Sequence, residues 1–314
     1  MIEFIWHPPT ADLYSHYLNK VTQPNLLQSY PYALAIRKTQ YLAPIPATII
    51  KDGKEIGFFQ AFEAKTVFGA FHVITLDRGP CWFKGAGSDE DWKMFTKALN
   101  HAFPKRFGRK RRFMPERHSD QSTEFFEVSG WHKREKAEAY KTLWLDLTPS
   151  LENLRAGLAQ KWRNALNKAQ RQDIDIQIKQ DITAQALFLK HYLQDRLDKK
   201  YAGASPAFLK VLMETAQHTD DLIIAETYQK GRLIAAQLFI THGKAATYQA
   251  GWSSRQGRAS NAHTLSLWQV MEQLKDKGVI WLDLGGIRHT DNEGLTRFKK
   301  GTGGQIITLT GQYG

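Results

Sequence analysis

The spacing of apolar and polar positions changes period several times along the chain, and each change marks an element. Asn25 to Lys38, "NLLQSYPYALAIRK", reads as a short helix entered through a proline. "ATIIKDGKEIGFFQAFEA" carries β-rich runs on both sides of Asp52-Gly53, the signature of a hairpin. "FGAFHVITLDRGPCW" predicts a further strand ending at Gly79-Pro80. In "SDEDWKMFTKALNHAF" a serine cap and three acids precede Trp92, Phe95, Leu99 and Phe103, the spacing of one buried helix face.

The second half follows the same order. "TPSLENLRAGLAQKWRNALNKAQRQ" predicts one long capped helix, and "DITAQALFLKHYLQDRLDKK" and "SPAFLKVLMETAQ" two more. "LIIAETYQKGRLIAAQLFITHGKAATYQAGWS" reads as strand, turn, strand, turn, strand. The helix "NAHTLSLWQVMEQLKDKG" and the short buried strand "VIWLDLGGI" come next. "GGQIITLTGQY" is expected to close the second sheet. The hairpins "IIKDGKEIGFFQAF" and "AETYQKGRLIAAQLF" match in architecture, which points to a duplicated unit. The expected fold is therefore α/β (α+β) in two tandem domains, 1–140 and 141–314, joined by the charged stretch "SGWHKREKAEAYK".

With 42% hydrophobic and 12% aromatic residues, the 314-residue chain can build real cores, which excludes a disordered protein. The net charge of +12 suggests an anionic partner: RNA, a nucleotide-bearing small molecule or a phospholipid surface. A solvated basic surface is the plainer reading. The single cysteine, Cys81, excludes an internal disulfide and a cysteine-built metal site. No secretory pattern opens the chain, and no apolar run approaches the ~18 residues that span a bilayer. A cytoplasmic protein is expected, with peripheral membrane contact left open.

Two basic stretches stand out. Arg163 and Arg171 share a helix face with Asn167, and Lys161 and Lys168 form a stripe beside it. These four cations suit tRNA or phosphate contact, and equally suit an ordinary solvated face. "KRFGRKRRFMPERH" interleaves cations with Phe107 and Phe113, which fits either nucleic-acid binding or a basic loop and strand whose phenylalanines are core. Nucleophilic chemistry finds little support: Cys81 has no neighbouring histidine and no G-x-S-x-G elbow occurs. No metal is expected, since the histidines lack ligand spacing and "RHTDNE" (288–293) reads as a polar loop. Acyl transfer needs neither nucleophile nor metal. It needs an amine held against an activated ester, and a cation or N–H donors for the oxyanion. "RFKKGTGG" offers Lys299 as that cation, with glycines that permit close backbone approach.

The segments "LLQSYPYALAIRK", "LDRGPCW", "TLWLDLTPSLENLRAGLAQKWRNALNKAQR", "YQAGWSSRQGRASNAHTLSLWQVMEQLKDKGVIWLDLGGI" and "LTRFKKGTGGQIITLTGQYG" together resemble the FemABX family of peptidoglycan-bridge aminoacyltransferases, relatives of the GNAT acyltransferases. The resemblance implies two GNAT-like domains, each a mixed sheet flanked by helices. It implies transfer of an amino acid from aminoacyl-tRNA to an amine of a UDP- or lipid-linked muropeptide precursor, without a further cofactor. Both substrates are polyanions, in keeping with the charge. By the same resemblance Phe298 and Lys299 are catalytic, and Arg37, Arg78, Arg196, Tyr201 and Tyr248 bind substrate. The chain departs from the family at Leu76-Asp77, where an aromatic-proline pair is usual, and at Thr302, where an aromatic is usual. It also lacks the long helical arm of larger members. Two rivals stay open: a CoA-dependent GNAT-type N-acyltransferase, whose phosphate loop "RQGRASNAH" would keep only one glycine, and a non-catalytic RNA- or membrane-surface-binding module.

Overall fold

Two β-turns with paired left-handed residues organise the two sheets. Asp52 and Gly53 (φ 49° and 76°) and Lys230 and Gly231 (φ 50° and 71°) adopt the backbone that matches the twist of antiparallel hairpins. The chain is seen in a computed structural model that describes residues 1–66, 71–201, 203–287 and 293–314. It divides into one unit of Met1–Lys141 with Ile307–Gly314 and another of Thr142–Ile306.

The first unit runs β1 (Ile2–Trp6), α1 (Ala11–Leu18), α2 (Tyr30–Gln40), β2 (Ala43–Lys51), β3 (Lys54–Thr66), β4 (Phe71–Gly79), β5 (Cys81–Trp82), α3 (Asp89–Ala102), β6 (Arg109–Pro115) and α4 (Glu124–Val128). Its sheet has the order β1-β2-β3-β4-β6, with β5 beside β3. Ser88 and Asp91 form a capping box at the start of α3, and Trp92, Phe95 and Leu99 are buried as their spacing predicts. They meet Phe59, Phe113 and Phe126 in an aromatic core. The Cys81 thiol, pushed up to about 12 by burial, is inert packing.

The second unit runs β7 (Lys141–Asp146), α5 (Leu151–Gly157), α6 (Gln160–Gln170), β8 (Asp175–Lys179), α7 (Ile182–Lys199), α8 (Pro206–His218), β9 (Leu222–Gln229), β10 (Arg232–His242), β11 (Ala245–Ser253), α9 (Arg255–Ala259), α10 (Ala262–Asp276), β12 (Trp281–Gly286), α11 (Glu293–Lys300) and β13 (Gln305–Thr308). Its seven strands lie in the order β13-β7-β12-β11-β10-β9-β8. The duplication is visible in the topology. A hairpin, a third antiparallel strand, a helix and a parallel partner recur as β2-β3-β4-α3-β6 and β9-β10-β11-α10-β12. The architecture is two tandem mixed sheets flanked by helices. Helices α7 and α8, of 18 and 13 residues, pack on each other and on the second sheet and form no long arm. Among the described residues no helix is long and apolar enough to cross a membrane.

Three expectations are corrected. The long helix expected from Thr148 is two helices, because Leu158 is extended (ψ 141°) and the amide of Ala159 donates to the carbonyl of Gly301 at 2.9 Å. The closing strand is only four residues long. Beyond it the tail joins the first unit, where Tyr313 pairs with Phe113 and sits 4.8 Å from the Phe126 ring. The turn expected around Phe298-Lys299 is the last turn of α11. Parts of two expected segments, 68–70 of the third strand and 288–292 of the polar loop, lie outside the described residues.

The glycines after Lys300 serve packing. A Cβ on Gly301 would meet Trp162 Cδ1 at 2.6 Å, and one on Gly304 would meet Leu143 Cδ2 at 2.2 Å and the Trp144 carbonyl at 2.7 Å. Backbone cannot yield to a methyl group at that distance, so overpacking of about 1–3 kcal/mol is expected for Gly304→Ala, read as a lowered midpoint in urea unfolding. Gly157→Ala, a helical site with open space around it, should leave the midpoint unchanged or raise it.

Candidate active site

The parallel pair β11–β12 comes apart after three residues. Ala245, Ala246 and Thr247 pair with Trp281, Leu282 and Asp283; beyond them β11 stays on β10, and β12, which pairs with β7 from Trp281, keeps the Gly286–Thr142 pair. Asp283, fully buried, holds the turn: it accepts from the Gly285 amide at 2.8 Å and from the Thr142 hydroxyl. The strand ends therefore diverge, leaving a split at the carboxyl end of β11, the position where open α/β sheets bind ligands. In the first unit the equivalent pair β4–β6 stays paired from His72↔Arg109 to Gly79↔Pro115, through one irregularity between Asp77 and Gly79, so no such split opens there.

Four side chains collect at the split. Lys299, only 6% exposed, donates from Nζ to the carbonyl of Gly286 at 2.8 Å. Its ammonium thereby lies on the diverging edge of β12, within reach of Gly285. Phe298 packs half-buried on the core, 6.2 Å from Trp162 and 6.3 Å from His263, while Lys300 is exposed. Tyr248 is nearly buried, and its hydroxyl sits above Gly251, where any Cβ would strike it at 2.2 Å. The same glycine makes room for His263, which bonds the Trp252 carbonyl at 2.8 Å. Desolvation holds the Tyr248 phenol above and the His263 imidazole below their ordinary values, so both are neutral at pH 7.

The end of α7 supplies the remaining polar groups. His191 stacks on Trp252 of β11 at 4.1 Å. Arg196 Nη1 and the Tyr192 hydroxyl both donate to the carbonyl of Ala204, at 3.3 and 2.9 Å. Tyr201 lies against Tyr192, and its phenol is raised first by burial and then by the neighbouring Tyr192 and Asp195. The Asp195 side chain is 10% exposed and pairs with Lys199 at 2.6 Å. Its charge also reaches Tyr248 and His263, which ties the α7 end to the split.

The residues singled out in the sequence divide accordingly. Lys299, Phe298, Tyr248, Arg196 and Tyr201 fall in the second unit around this region. Lys161, Lys168 and Arg171 are exposed on α6 and its cap, and Arg163 is partly covered and bonded to Gln160. Arg37 is exposed in the last turn of α2. Arg78 is 1% exposed, with its guanidinium committed to Glu116 through two bonds of 2.7 and 2.8 Å and stacked over Tyr140. In this arrangement Arg78 is a structural ion pair rather than an open ligand contact. Asp195, His263 and Asp283 were missed. Only the placement of Asp283 two residues before a Gly-Gly pair hinted at a special strand end. Among the described residues no group of three His, Cys, Asp or Glu side chains is placed to hold a metal ion.

Residues 209–314 match the FemAB family, which bears out the FemABX resemblance read from the motifs. No curated protein matches the sequence. The fold is similar to that of FemX over 99% of this chain and 96% of that one (TM-score 0.82, 13% identity). It is similar to a tandem GNAT protein from the clavulanic acid biosynthesis pathway over 100% and 98% (0.50, 11%). It is also similar to L-PGS from Bacillus licheniformis over 97% and 91% (0.52, 10%). The two sheets are thus tandem GNAT-like domains, and the family match supports a transferase.

Because the buried Arg78 guanidinium makes two bonds to the Glu116 carboxylate, removing that carboxylate takes away its bidentate counter-charge. Glu116→Ala should cost about 3–5 kcal/mol in chemical denaturation, and the double change Arg78→Met with Glu116→Leu should recover most of it.

Proposed function

We propose that this chain is an aminoacyltransferase that forms an amide bond, with aminoacyl-tRNA as donor and an amine of a peptidoglycan precursor, UDP- or lipid-linked, as acceptor. The observation that carries the reading is the buried Lys299 ammonium fixed at the β11–β12 split by the Gly286 carbonyl. A cation held in a desolvated cleft is worth far more to a developing oxyanion than one in water.

In this reading the acceptor amine, neutral at the moment of attack, forms a C–N bond to the ester carbonyl carbon of the donor. The carbonyl oxygen becomes an oxyanion, stabilised by Lys299. The ester C–O bond then breaks, and the leaving ribose oxygen takes the proton that the amine gives up, directly or through water. Phe298 backs the lysine and limits water at the split. Asp195, nearly buried beside Tyr201, is suited to orient the acceptor's ammonium before it is deprotonated. Arg196 and the exposed cations Lys161, Lys168 and Arg171 suit phosphate groups of the two substrates.

The donor assignment draws on α9. A CoA pyrophosphate is bound by free amides of a glycine-rich loop leading into a helix. Here that stretch is wound into α9, and the amides of Gly257, Arg258, Ser260 and Asn261 are spent on internal bonds. This favours tRNA over CoA.

An amine-transfer assay offering charged tRNA and acyl-CoA in parallel should label the acceptor from tRNA alone; product from CoA alone overturns the donor. Lys299→Ala should lower kcat by about 10²–10³-fold with folding intact, and Lys299→Arg should retain part of it. Turnover by Lys299→Ala equal to that of the unsubstituted chain overturns the mechanism, and absence of transfer by the unsubstituted chain from either donor leaves a non-catalytic binding module. Asp195→Asn should raise the KM for the acceptor while leaving donor binding unchanged.

A further inference from the structure

The basic stretch that the sequence left ambiguous, 105–118, separates its two phenylalanines between a loop and a strand. Phe113 is fully buried in the first core, whereas Phe107 is 97% exposed. The loop is built to present it. The Arg109 amide donates to the Arg106 carbonyl at 3.1 Å, and its guanidinium bonds the Pro104 carbonyl at 2.8 Å and His72 Nδ1 at 3.1 Å. These bonds close a tight turn with Phe107 at the tip, and Lys105, Arg106 and Lys110 are exposed around it.

Phe107 has aromatic company at the same end of the sheet. The His72 amide bonds the Gly108 carbonyl at 2.9 Å, and the residue before it, Phe71, is 57% exposed. The His72 ring lies 6.4 Å from Phe103, which in turn lies 5.8 Å from Trp6, itself 44% exposed. Phe71 at the start of β4 and Phe107 on the loop bonded to it therefore stand exposed at one end of the sheet, with Lys105, Arg106, Lys110 and, at the end of β3, Lys65 exposed at the same end; Trp6 lies on the His72 and Phe103 face, opposite to Phe71. The acid at this end, Glu63, is engaged with Lys65 and His72.

We infer that this end of the first unit is a docking surface for an anionic phospholipid membrane, with Phe107 and Phe71 entering the interface and the surrounding cations meeting headgroups. Phenylalanine rings beside lysine and arginine are the composition of interfacial anchors. The same composition can serve single-stranded RNA, but there rings interleave with cations along a groove that tracks a backbone. Here Phe113 is core, so the stretch exposes one ring, joined by Phe71 of β4 and set among cations, which fits a flat surface with a hydrocarbon interior better than a strand to be tracked. The inference is independent of the transfer chemistry and of the split in the second unit.

The test uses the full chain and vesicles of phosphatidylcholine with or without one quarter phosphatidylglycerol, at 0.15 M salt. Flotation should recover the protein with the anionic vesicles only. Lys105→Glu with Lys110→Glu should weaken binding by at least about 25-fold, at roughly fivefold for each cation. Phe107→Ser should weaken it by about tenfold. Since Cys81 is buried, Phe107→Cys provides one exposed thiol for an environment-sensitive dye. Its emission should shift to the blue on anionic vesicles. Absence of vesicle binding, equal binding to neutral vesicles, or binding that ignores all three variants overturns the inference. Loss of polyuridylate or tRNA binding in these variants, with no vesicle binding by the parent chain, overturns it in favour of RNA.

Discussion

The separation of β11 from β12 is the constraint on which the candidate site depends. Parallel strands gain backbone hydrogen bonds for each residue they stay together, so parting after three pairs needs a compensating partner for the freed groups. The buried carboxylate of Asp283 provides one by taking the Gly285 amide, and Lys299 provides the other by donating to the Gly286 carbonyl. The cation is thus part of what keeps the strands apart. Structure and chemistry meet in one ammonium group.

The two sheets show what a duplicated unit does when only one copy keeps an opening. In the first, β4 and β6 stay paired, and a buried guanidinium-carboxylate pair, Arg78 with Glu116, fills the place beside Gly79. The exposed rings and cations of this unit lie at the opposite end of the same pair, where β4 and β6 begin.

The motif around Lys299 also separates two roles that look alike on paper. Glycines after a lysine suggest a backbone that closes on an anion. Gly301 and Gly304 are instead pressed against Trp162, Leu143 and Trp144, and the amide of Ala159 reaches the Gly301 carbonyl. They lock α11 against the α5–α6 break, and so fix the height at which Lys299 meets β12. The glycines position the lysine.

Much of the fold could be read from local patterns. The hairpins at Asp52-Gly53 and Lys230-Gly231, the capped helix from Ser88 and the buried face of α10 each follow from period and turn chemistry, which act over a few residues. The candidate lysine was legible for the same reason, as a charge beside an aromatic at a glycine-rich end. Other features depended on partners far along the chain. The break between α5 and α6 comes from Gly301, the split from Asp283 and Thr142, and the burial of Arg78 from Glu116. Phe107 and Phe113 are six residues apart in one basic stretch, yet one is core and the other fully exposed. Local sequence determines which element forms. Only tertiary packing decides which face of it meets water, because that depends on what other segments bring to the same place.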